Sequence, residues 1–104
     1  MTCSLFRAVS PEELADIGVV NGFRPIPRSL QGKWFAEAVA DADTWGQRLF
    51  GQDPFHVVQV DIPNDVADLM FRLPWLDRIG PARYAEGDVL AIINSSHQGI
   101  VKIR

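Results

Sequence analysis

Glu86 closes the stretch Gly80-Pro81-Ala82-Arg83-Tyr84-Ala85-Glu86 and stands directly ahead of the apolar run Val89-Leu90-Ala91-Ile92-Ile93. A carboxylate between a Gly-Pro turn and so apolar a run is expensive to bury without a partner, so it either meets water or works. Arg7 poses the same question at the other end of the chain, in Leu5-Phe6-Arg7-Ala8-Val9. A guanidinium flanked by apolar side chains needs a partner or a path to solvent along its own stem.

Other chemistries find little support. His56 and His97 are the only histidines, and their spacing matches no common zinc or iron pattern. Cys3 is the only cysteine, which excludes an intrachain disulfide and any multi-cysteine zinc site. No Gly-rich loop follows a strand and opens a helix, so kinase and dinucleotide-fold readings drop out. Neither Cys3 nor the serines have a base at readable spacing, which leaves a nucleophilic triad without support.

These residues must be carried by one small core. A chain of 104 residues buries about two thirds of its unfolded surface and is too short for two cores, so residues 1–104 form a single domain. With 22% charged and 47% hydrophobic residues and a formal charge of −3, the composition gives no electrostatic reason to expect non-specific attraction to nucleic acid or anionic membranes. All ten basic residues are arginine except Lys33 and Lys102, a skew compatible with recognition of phosphate or carboxylate and explained at least as often by high genomic GC content. No stretch reaches membrane-spanning length, and the start lacks a secretory signal's apolar core, so a cytoplasmic protein, or one delivered into a target cell's cytoplasm, is expected.

The patterning predicts a compact α+β domain. A strand over residues 5–9 leads to Ser10-Pro11-Glu12-Glu13, where Ser10 caps, Pro11 takes the first helical position and Glu13 completes a capping box; Gly18 is the expected stop. Arg24-Pro25-Ile26-Pro27-Arg28-Ser29 reads as the longest loop. A short strand over residues 32–36 follows, then a helix with Ala38, Ala42, Trp45 and Leu49 on one face, ending near Gly51. Residues 55–62 alternate as a strand, and Asn64 and Asp65 cap a short helix reaching about Met70. Leu73 to Pro81 reads as irregular, residues 88–94 as a strand or a helical turn, and residues 100–103 as a last strand.

What remains is an ordered pattern: Arg7 in a first strand, the rings Trp34-Phe35 in a second strand that enters a helix, and Tyr84-Ala85-Glu86 near a late strand. In this order the chain resembles small ADP-ribosyltransferase-like domains of the bacterial toxin type, across most of its length. The resemblance implies a split two-sheet α+β fold with NAD+ as substrate in a cleft between the sheets. It further implies that Arg7 steadies the nucleotide, that Trp34, Phe35 or Tyr84 stacks on nicotinamide, and that Glu86 is the catalytic carboxylate facing Arg7. The acceptor would be a protein or nucleic-acid group, or water, and a cognate antitoxin or immunity protein is an expected partner. The chain departs from the family in having no hydroxyl residue between Ser29 and Thr44, where one family type carries a serine-rich second strand. Two other readings stand beside this one: a non-enzymatic interaction module on the same scaffold, and a small ribonuclease using His56 or His97 with Arg83.

Overall fold

A computed structural model describes residues 1–24 and 32–104. The loop expected over Arg24 to Ser29 lies, apart from Arg24, outside the described residues. Those described form six strands and four helices: β1 (Thr2–Val9), α1 (Pro11–Val20), β2 (Gly32–Ala36), α2 (Val39–Phe50), β3 (His56–Pro63), α3 (Asn64–Ala67), β4 (Phe71–Leu76), β5 (Gly80–Glu86), α4 (Gly87–Ser96) and β6 (Ile100–Lys102). The strands make one sheet in the order β4-β5-β2-β1-β3-β6, with every neighbouring pair antiparallel.

Strand alternation sends β1 side chains to two different cores. Leu5 and Val9 join Phe35, Val58, Val60, Ile62 and Ala85 beneath Ile17 of α1, Val66 of α3, and Leu90 and Ile93 of α4. On the opposite face Phe6 packs with Ala36, Val57 and Phe55 against Val39 and Ala42 of α2. Each fully buried Leu, Ile or Phe contributes about 1.5–3 kcal/mol relative to its exposed state, so the first and larger cluster dominates stability.

Local chemistry explains most boundaries. The Ser10 side chain accepts from the Glu13 N–H at 3.1 Å, and Pro11 follows as expected. The helix nevertheless runs past Gly18 to Val20 and stops at Asn21, whose φ of 53° allows its N–H to close on the Ile17 carbonyl. One glycine inside a helix costs only about 1 kcal/mol, whereas an αL cap ends it. α3 is shorter than expected, because Leu69 and Met70 already bond three residues back, to Val66 and Ala67, as the chain turns into β4. Residues 87–96 resolve the last ambiguity as a helix.

The segment expected to be irregular is instead the β4–β5 hairpin. Pro74 is tolerated there because β4 is an edge strand, where a missing N–H breaks no ladder. Asp77 and Arg78 form its two-residue turn, with φ of 55° and 60° and the Ile79 N–H closing on Leu76 O at 3.0 Å. That is a type I′ geometry without the Asn-Gly pair that normally signals it.

One sheet therefore stands where two were expected, but it has a seam. β1 pairs with β3 along its full length, from Thr2 opposite Pro63 to Val9 opposite His56. Against β2 it makes a single register pair, Phe6 opposite Ala36.

Candidate functional site

Beyond Phe6 and Ala36, β1 and β2 form no further pair among the described residues, and a cleft of about 630 Å³ opens there. Arg7 and Ala8 line one side and Gly32, Lys33 and Trp34 the other. Trp45, Arg48 and Leu49 of α2 and the turn Leu76–Ile79 complete its walls. The volume falls within the range of small-molecule sites, about 300–1,000 Å³.

Arg7 spans the seam. Its Nη1 donates to the Trp34 carbonyl oxygen at 3.0 Å, a strand carbonyl that faces the gap between β1 and β2. The rest of its fork is bidentate on Glu13, with Nε to Oε2 at 2.7 Å and Nη2 to Oε1 at 3.0 Å. Lys33 is only 5% exposed and brings its ammonium 3.7 Å from Glu13 Oε1. Burial, and then the charge of Arg7, hold the Lys33 amine below its ordinary value. Glu13 is thus the shared counter-charge of two cations. Its side chain leaves the capping box for Arg7, an outcome hinted at only by its six-residue separation from Arg7 across the Ser10-Pro11 corner.

Glu86 lies elsewhere. It is exposed at the β5–α4 junction, directly opposite Gly32 in register, and accepts from the Tyr84 hydroxyl at 2.9 Å. A Cβ built on Gly32 would lie 2.3 Å from Ala85 O, 2.7 Å from Glu86 Cβ and 2.8 Å from the Tyr84 ring. Glycine at this position therefore lets the end of β5, with Glu86, close onto β2 at the cleft wall. Partial burial, and then the bond to Glu86, push the Tyr84 phenol above its usual value.

The aromatic candidates separate by strand parity. Trp34 and Tyr84 share a face as register partners, with centroids 4.9 Å apart, and Phe71 meets Trp34 edge-on at 6.3 Å. Phe35 points to the other face, is 0% exposed and packs edge-on against Phe23 at 5.0 Å. The structure thus brings Arg7 and Trp34 into the cleft, leaves Tyr84 and Glu86 outside its lining as neighbours of Trp34 and Gly32 in register, and puts Phe35 in the core. Arg7 and Glu86 do not pair: each has a nearer partner, Glu13 and Tyr84 respectively.

Three wall features had no sequence signal. The indole N–H of Trp45 is buried with no acceptor among the described residues, although this residue lines the cleft. Asp77 and Arg78 both hold positive φ, which costs about 1–2 kcal/mol per residue for non-glycines. Arg48 steadies this turn through Nη1 on the Asp77 carbonyl at 3.0 Å. Four cations (Arg7, Lys33, Arg48, Arg78) face two carboxylates (Glu13, Asp77) here, a local excess of two positive charges in a chain of net −3.

Two further candidates, His97 and Arg83, are engaged in contacts within the fold. His97 Nδ1 accepts from the Gly99 N–H at 3.1 Å, so Nε2 carries the proton and donates to Asn21 O at 2.8 Å. Arg83 donates to Glu37 at 2.9 Å and to Ala67 O at 2.8 Å. No group of three or more His, Cys, Asp or Glu able to hold a metal occurs among the described residues, and no described helix is long and apolar enough to cross a membrane. Comparison of the chain with protein-family models, curated proteins and solved structures returns no match.

Proposed function

We propose that the chain binds NAD+ in the β1–β2 cleft and cleaves its nicotinamide–ribose bond, as a compact ADP-ribosyltransferase or NAD+ glycohydrolase of the toxin type. The observation that carries this reading is the seam itself. It divides the sheet into β4-β5-β2 and β1-β3-β6, with Arg7 spanning the gap and Glu86 next to Gly32 of the cleft wall. A ligand with negative phosphates and flat rings suits a cleft with excess positive charge and two tryptophans. Glu86, already oriented by Tyr84, is the group to stabilise positive charge developing on the ribose as the bond breaks. The acceptor class, protein, nucleic acid or water, would be set by the rim.

A second reading, a non-enzymatic interaction module, is favoured by one specific observation: the Arg7 fork is already filled by Glu13. Nicotinamide release from NAD+ separates the two. On the first reading the purified chain releases nicotinamide, Glu86→Gln lowers the rate at least about a hundredfold, and the same substitution relieves any growth defect on expression. Absence of release by the wild-type protein, or equal rates in the Glu86→Gln variant, sinks the enzymatic reading.

A further inference from the structure

Arg7, the arginine that the ordered pattern singles out, is poorly placed to take a new anion. Nε, Nη1 and Nη2 each already donate, to Glu13 and to the Trp34 carbonyl, and a ligand would have to expel a carboxylate that also neutralises Lys33. The opposite wall differs. Arg78 is exposed, lines the cleft and has no side-chain partner among the described residues. Arg48 spends only Nη1, on the Asp77 carbonyl, and that bond holds the turn that carries Arg78.

The turn itself points the same way. Two consecutive non-glycine residues at positive φ persist only where the surroundings hold them, and such strain gathers at ligand clamps. Trp45 of α2, one helical turn from Arg48, adds a buried indole N–H without an acceptor among the described residues.

We propose that Arg48 and Arg78, rather than Arg7, take the diphosphate of a nucleotide in this cleft, with the turn Asp77-Arg78 as its clamp. Arg7 then remains a strut of the seam. The proposal rests on the reading of the cleft as a nucleotide site, and it does not depend on bond cleavage.

The test is calorimetric titration of the full chain with ADP. Removing one charge-assisted hydrogen bond weakens binding roughly ten- to a hundredfold, so Arg78→Gln and Arg48→Gln each should do so, and the double variant more. Lys102→Gln, on β6, leaves affinity unchanged and controls for net charge. An unchanged melting temperature for Arg78→Gln excludes unfolding as the cause. ADP affinity in the double variant equal to wild type, or no ADP binding by wild type, overturns the proposal. Loss of ADP binding in these variants without nicotinamide release by wild type would sink the enzymatic reading and leave the clamp standing. Nicotinamide release with ADP affinity insensitive to both arginines would do the reverse.

Discussion

The two halves of the sheet are built on different terms. In β1-β3-β6, eight consecutive residue pairs join β1 to β3, and Leu5, Val9, Val58, Val60 and Ile62 are all buried. In β4-β5-β2, the edge strand exposes Phe71 and Trp75 at 59% and 65%, its pairing is irregular between Leu73 and Leu76, and its turn is strained. Charge holds much of this half together. Glu37 accepts from Arg72 at 2.6 and 3.0 Å and from Arg83 at 2.9 Å, tying β4 and β5 to the end of β2. A densely packed half thus anchors one lip of the cleft, and a more polar, strained half presents the other, where ligand-contacting residues are expected.

The sharpest break of this contrast is at β2, which belongs to both. Phe35→Ala removes a ring buried against Phe23 and should cost about 3–5 kcal/mol in urea denaturation. Trp34→Ala, one residue away but on the cleft face, should cost clearly less. Equal losses would mean that the cleft face is packed as core. Next in size is Gly32→Ala, whose methyl meets β5 backbone and should cost about 1–3 kcal/mol.

Acid should weaken the polar half through Glu37. Bonds from Arg72, and then from Arg83, hold the Glu37 carboxyl below its ordinary 4.5. A depressed carboxyl pKa stabilises the fold fully above its unfolded value and loses that contribution as pH falls through the folded one. Stability should therefore decline below about pH 4.5, and Glu37→Gln should be less stable at neutral pH with a shallower acid slope over the same range. A slope unaltered by Glu37→Gln would assign acid sensitivity to other carboxylates.

Smaller still, and opposite in sign, is relief of the turn. Asp77→Asn with Arg78→Gly restores the residues that a type I′ turn favours and should raise stability by about 1 kcal/mol. The same change should weaken ADP binding, so a gain in melting temperature with a loss of affinity is the expected pair. Phe71→Ser, on the exposed edge, loses the edge-on contact with Trp34 and should cost about 0.5–1 kcal/mol.

These effects also track what could be read from the residues. The cap at Ser10, the alternation of β3 and the glycine end of α2 depend on neighbours within a few positions, and they stand as the local chemistry predicts. The β4–β5 hairpin was illegible because its turn uses Asp77-Arg78 and its edge strand carries Pro74, both of which read as irregular chain. The positions of the candidate residues were partly legible: Arg7 and Trp34 fall on the strands expected for them, β1 and β2, whereas Glu86 ends β5, a strand that the residues had not suggested, and precedes a helix. Its partners were not, because Glu13 pairing with Arg7 depends on how α1 folds back, and Arg48 beside Arg78 brings together residues 30 positions apart. The parity that sends Phe35 inward and Trp34 outward depends on which face of β2 the larger core takes.

The central claim, that the seam between the two half-sheets is where NAD+ binds, can be watched at three indoles. Trp34 and Trp45 line the cleft, whereas Trp75 lies exposed on the edge strand. In a ¹⁵N–¹H spectrum of the chain titrated with NAD+, the Trp34 and Trp45 Nε1–H signals should move together with one saturation curve while that of Trp75 stays. Three unmoved indoles, or a shift of Trp75 alone, would contradict the account.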